Sequence, residues 1–176
     1  MKTICMIGVF MVHIAGAATQ KFTVSALDFK NNGGIPREFS GEGNDKQPII
    51  VWNNVPTNTQ SFALICQDPD APGGTWIHWV VYNIPAGKRS SDYIHHGAEK
   101  MADGTMQGLN SWPTVGYKGP LPPEGHGPHH YHFIVYALDA LLPLQPRATK
   151  DAVEKAMRGH ILAQAQVVGI YERKKK

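Results

Sequence analysis

The sequence predicts a mainly β protein: a two-sheet, antiparallel-rich β-sandwich with one or two short helices near the C-terminus. Three observations carry this. Eighteen glycines and thirteen prolines in 176 residues favour a loop-rich β fold over a helical bundle. Several short apolar runs are closed by proline or glycine, without the strand–helix alternation of a parallel sheet. The helix signal comes only late in the chain.

The N-terminus, "MKTICMIGVFMVHIAGAATQ", reads as a secretory signal peptide over residues 1–18, with Lys2 as the positive start and small residues at the cleavage site. The apolar run is too short for a comfortable membrane span, and no other stretch comes close. The expectation is a periplasmic or secreted protein whose single domain covers residues 19–176. Cys5 leaves with the signal, so Cys66 stands alone and no internal disulfide forms.

The elements follow in order. "KFTVSALDF" alternates Phe22, Val24 and Ala26 against Thr23, Ser25 and Leu27, a first strand. "NNGGIPREFSGEGNDKQP" is a turn-rich loop. "IIVWNNVP" is a short strand closed by Pro56. Ser61 to Gln67 is a buried strand, broken by Pro69 and Pro72. Trp76 to Ile84 is another, closed by Pro85, and "HYHFIVYAL" is a third long one. The glycine- and proline-rich segment from Pro85 to Gly125 is long for a connection, which marks it as a binding lip, a partner surface or a dimer contact. Thr149 caps "KDAVEKAMRGH", with Val153, Ala156 and Met157 on one face and Gly159 as a stop. Ile161 to Ala165 reads as a further helical turn, and "QVVGIYE" as a closing strand.

Seventeen Lys and Arg against fourteen Asp and Glu is too small an excess to imply nucleic acid. Part of it sits in "ERKKK", which reads as a solvated tail.

"GHGPHHYHF" crowds four histidines together. Side chains alternate faces along a strand, so His129, Tyr131 and Phe133 share one face while His130 and His132 share the other. A structural zinc site from this segment alone is disfavoured, because four ligands must converge. At most His129, with His126, can join partners from elsewhere. Two stretches offer them. "CQDPDAP" ends a buried strand with Asp68 at the rim, on the face of Cys66, and "WIHWVVYNIP" places His78 in an otherwise apolar strand. Asp70 reads as the cap of the turn after Asp68.

"DPDAP", a following "HW" and "GPLPPEGHGPHHY", in that order, resemble the phosphatidylethanolamine-binding protein family, also called Raf kinase inhibitor-like proteins, and most of all its compact bacterial branch. The resemblance runs from "GGIPREFS" to "GHILAQAQVVGIYER". It implies a two-sheet β fold with a small surface pocket for an anionic ligand such as a phosphate-bearing compound or phospholipid head group. It also implies that no cofactor or metal takes part and that the protein is not an enzyme. Matched motif by motif, the pocket uses Asp68, His78 and His129, with Pro72, Pro120 and Tyr131 as lining, and the Ala71–Pro72 bond is cis. The family name adds a protein target of inhibition as a partner class. Where the family pattern runs His-Arg-Tyr, this chain has His129, His130 and Tyr131, which replaces a permanent charge with one titrating near neutrality.

The residue types suit an anion. Imidazoles donate to phosphate oxygens, and a carboxylate orients one of them and favours its charged form. Two enzyme readings stand beside this one. Asp68, His78 and His129 match in type a two-histidine, one-carboxylate set for a metal-dependent hydrolase. Cys66 with either histidine matches a cysteine hydrolase, although its apolar run suits a small core residue better.

Overall fold

Strand alternation and proline breaks build most of the molecule as expected. The computed structural model describes residues 20–175. The signal peptide over 1–18 and Cys5 lie outside the described residues.

The strands are β1 (Thr23–Ala26), β2 (Gly33–Gly34), β3 (Ile50–Asn53), β4 (Ser61–Asp68), β5 (Trp76–Pro85), β6 (Met106–Gln107), β7 (His129–Leu138) and β8 (Ile161–Tyr171). One α-helix, α1 (Lys150–Met157), and one 3-10 turn (Arg37–Phe39) complete the set. Strands β1 and β3 form a two-stranded sheet; the other six run β2-β8-β7-β4-β5-β6. All pairings are antiparallel except β2 with β8.

Strand β4 lies at the centre of the large sheet, and its apolar run is buried on both faces. On one face Phe62, Leu64 and Cys66 join Tyr131, Phe133 and Val135 of β7, and pack against Phe22, Ile50 and Trp52 of the small-sheet layer. On the other, Ala63 and Ile65 join Val80, Tyr82 and Leu138 beneath Val153 and Met157 of α1. Burying each such large side chain stabilises the fold by about 1.5–3 kcal/mol. Thr149 caps α1 as its sequence signals, its hydroxyl accepting from the Ala152 amide at 3.2 Å.

Two expectations fail here. Ile161–Ala165 is strand, not a helical turn: Ala163 and Ala165 pair with Ala137 and Val135 of β7, and this long-range ladder overrides the helix propensity of "ILAQAQ". The basic tail is not wholly solvated. Arg173 is half-buried, donating to the Pro122 carbonyl at 3.2 Å and pairing with Glu124 and Glu42. Among the described residues no helix is long and apolar enough to cross a membrane.

Candidate functional site

The antiparallel order dictates where a site can form. Strand β4 runs against both β5 and β7, so its C-terminal end lies beside their N-terminal ends. Asp68, the last residue of β4, therefore meets the beginnings of β5 and β7, where His78 and His129 sit.

Parity alone places Asp68, His129 and Tyr131 on the face of the larger core. It does not place His78 there. Cys66 pairs with Trp79 and Gln67 with Ile77, so His78 is an extra residue at a β-bulge. Trp79 belongs to the core beneath the small sheet and Ile77 packs toward α1. The bulge turns the intervening imidazole toward Tyr131, edge-on at 5.0 Å between ring centres.

The hydrogen bonds fix the protons. Asp68 and His129 are almost wholly buried, and His129 Nδ1 lies 2.7 Å from the Asp68 carboxylate. The other Asp68 oxygen accepts the Asp70 amide at 2.9 Å, so Asp68 caps its own turn. His129 Nε2 lies 2.8 Å from His126 Nδ1. His78 Nδ1 is 2.6 Å from the Lys118 carbonyl, which can only accept, so Nδ1 carries a proton. Burial lowers the His78 pKa below its ordinary 6.5, outweighing the Lys118 bond and the Asp68 charge. At neutral pH its Nε2 is then a lone pair. Among the described residues no group lies within hydrogen-bonding distance of the buried Tyr131 hydroxyl, and burial, then the charge and the more distant carboxylate of Asp68, raise the phenol far above its usual range.

These groups surround an open hollow of about 280 Å³. Asp68, Pro72, His78, His129 and Tyr131 all line it. Pro120 does not. Its carbonyl accepts from the Gly41 amide, and a side chain on Gly119 would collide with the Phe39 carbonyl, so this stretch is tucked against residues 39–45. Leu121, Pro122 and Pro123 form that wall instead. Trp76 and Trp112, edge-on at 5.5 Å, add an aromatic side that strand alternation does not reveal. Wider grooves elsewhere, of about 450 and 510 Å³, gather no buried ionisable group.

Three local expectations are corrected. No peptide bond among the described residues is cis, so Ala71–Pro72 is trans. Asp70 is not the turn cap; it accepts from the backbone amide and Nδ1 of His130, both at 2.8 Å, and the His130 bond lowers its pKa. His130 thus stands outside the hollow, held by a rim carboxylate. Cys66 lies fully buried, and burial raises its thiol pKa well above the ordinary value.

The comparisons agree with this architecture. The family model described as phosphatidylethanolamine-binding protein matches residues 25–172. A UPF0098 protein of Aquifex aeolicus is 44% identical over 167 residues, covering 93% of this chain and 95% of the relative. The crystal structure of CT736 from Chlamydia trachomatis, described as a homologue of that family, superposes with a TM-score of 0.77 at 34% identity, covering 87% of this chain and 98% of the other. The structure of Escherichia coli YbcL, described as a new member of the mammalian family, gives 0.77 at 32% identity, covering 87% and 99%. With its bulged strand, shared strand ends and matched motifs, the chain belongs to the phosphatidylethanolamine-binding protein family.

Proposed function

We propose that the hollow binds a small phosphate-bearing ligand or phospholipid head group, and that the chain is an exported binding protein, not an enzyme. One observation carries the reading. Three ionisable side chains from three strand ends, with the unpartnered Tyr131 hydroxyl, converge on one open hollow.

The chemistry sets conditions on the ligand. Among the described residues no Lys or Arg lines the hollow, and Asp68 brings a negative charge. Tyr131 offers a donor; neutral His78 offers an acceptor. An oxyanion therefore binds when it brings its own donor, a P–OH or an ammonium group, or when His78 takes up a proton. A zwitterionic head group meets both needs.

The sign follows. Free His78 titrates below 6.5, and a bound oxyanion favours its protonated form. Between the free and bound pKa values binding takes up a proton, so affinity falls by up to tenfold per pH unit as pH rises. Calorimetry with inorganic phosphate and phosphoethanolamine from about pH 5.5 to about pH 8.5 spans the histidine range. The expected result is binding that weakens with rising pH and is lost in His78→Ala. Binding independent of pH, or retained in that variant, refutes the reading.

The enzyme alternatives find no support in the geometry. The buried Cys66 thiol has a raised pKa and is no ready nucleophile. Among the described residues no three His, Cys, Asp or Glu side chains converge on a metal-sized point. Export rests on residues 1–18, and cell fractionation followed by N-terminal sequencing tests it; protein confined to the cytoplasm with Met1 intact would overturn it.

A further inference from the structure

His129 lines the hollow, yet both of its ring nitrogens are engaged. Nδ1 is committed to Asp68 in the dry interior. Nε2, the one nitrogen left for a ligand, lies 2.8 Å from Nδ1 of His126. His126 is exposed, and it stands between Gly125 and Gly127, whose φ values of 72° and 94° lie in the left-handed region. Glycines on both sides give its backbone a freedom that the strand lacks.

We infer that His126 is a latch on the site: it occupies His129 Nε2, so that a bound oxyanion must displace it. This rests on the anion-binding reading above.

Proton arithmetic gives the latch a direction. With Nδ1–H donated to Asp68, neutral His129 accepts on Nε2 from His126 Nδ1–H. One added proton leaves the bond intact, because a single proton still lies between the rings. A second added proton puts N–H on both facing nitrogens, and the two like charges drive the rings apart. The other charged groups near His126 are paired or recessed, except the exposed Lys175. Glu124 on its own loop is paired with Arg173 from the C-terminal segment, and the Lys175 side chain lies over Gly125. Asp68 stands behind His129, and Asp70 is paired with His130. None of them replaces His126 at His129 Nε2. Acid therefore opens the latch and leaves His129 a donor aimed at no protein group.

The test is His126→Ala, compared with the unaltered protein in phosphate calorimetry and in imidazole nitrogen NMR. Near pH 7.5, removing the competing bond frees His129 Nε2 to accept the P–OH of dihydrogen phosphate, so that one proton lies between ring and ligand, and phosphate binding is expected to tighten by about five- to tenfold. At acid pH, once the nitrogen NMR shows two protons on each of the two rings, the two proteins are expected to bind alike. Weaker binding in the variant at both pH values makes His126 a ligand contact and overturns the proposal; equal binding at both overturns it too. If neither protein binds phosphate, the anion-binding reading falls, and the NMR titration decides the latch. The unaltered protein is expected to show His129 titrating together with His126 in coupled steps, replaced by a single step in the variant. Identical His129 titrations would overturn the latch.

Discussion

Tyr131→Phe separates what the fold needs from what the site needs. The Tyr131 ring is 1% exposed, edge-on to His78 at 5.0 Å and stacked on His129 at 6.5 Å, and phenylalanine keeps all of that. Only the hydroxyl is lost, and among the described residues no group lies within hydrogen-bonding distance of it, the Asp68 carboxylate being farther off. A buried, unsatisfied polar group costs about 1–3 kcal/mol relative to one left in water. Deleting it is therefore expected to stabilise the empty protein, by about 1 kcal/mol after allowing for relaxation around the smaller ring. For a chain of this size that corresponds to about 2–4 °C in Tm. Urea unfolding followed by tryptophan fluorescence is the assay, with the midpoint rising at unchanged m-value. Phosphate binding is expected to move the other way, weakening by about tenfold or more, because a hydrogen bond to a charged group contributes about 1.5–3 kcal/mol. A variant less stable than the parent by more than about 1 kcal/mol would show that the hydroxyl is satisfied, and the reasoning would fail. Unchanged phosphate affinity would remove Tyr131 from the site.

Two further outcomes follow from the same geometry. Asp68→Ala leaves the buried His129 Nδ1–H without an acceptor and frees the Asp70 amide, so urea unfolding should show a loss of about 3 kcal/mol, and Asp68→Asn, which keeps an acceptor, a smaller one. Arg173→Ala removes the tie to the Pro122 carbonyl and to Glu124; the stability cost should be within about 1 kcal/mol, while amide exchange over residues 124–127 accelerates.

Much of this was legible in the sequence, for physical reasons that differ by residue. The face shared by His129, Tyr131 and Phe133 follows from the two-residue period of a strand, and the structure buries all three while leaving His130 and His132 half-exposed. Asp68 was readable at the rim because Pro69 ends its strand. The failures have a common cause: they depend on what a distant segment does. "ILAQAQ" has helix formers throughout and becomes strand only because β7 supplies a ladder. Pro120, Pro122 and Pro123 look alike in a proline-rich lip, and only packing against residues 39–45 decides which of them turns from the hollow. Asp68 and Asp70 are two residues apart, and which one caps the turn depends on His130, 60 residues away, claiming the other.

His78 shows most clearly why motif and mechanism are separate questions. A motif places a histidine before a tryptophan in an apolar strand, and strict alternation from Trp79 would turn that histidine toward α1. One surplus residue in β5, opposite the Cys66–Gln67 step, reverses it. The reversal costs ladder regularity, and the surroundings offset it: the Lys118 carbonyl takes the Nδ1 proton, the Lys118 amide donates to the His78 carbonyl at 3.0 Å, and the rings of Trp112 and Tyr131 stand edge-on to the imidazole. These contacts hold the ring in place with its proton on Nδ1, and burial keeps it neutral against the pull of the Lys118 bond. The bulge therefore does more than bring a third group to the hollow. It brings an uncharged acceptor next to a carboxylate, so that on the proposed reading a bare oxyanion meets only the Tyr131 hydroxyl as a donor until a proton arrives, and occupancy would follow pH through the geometry of the backbone.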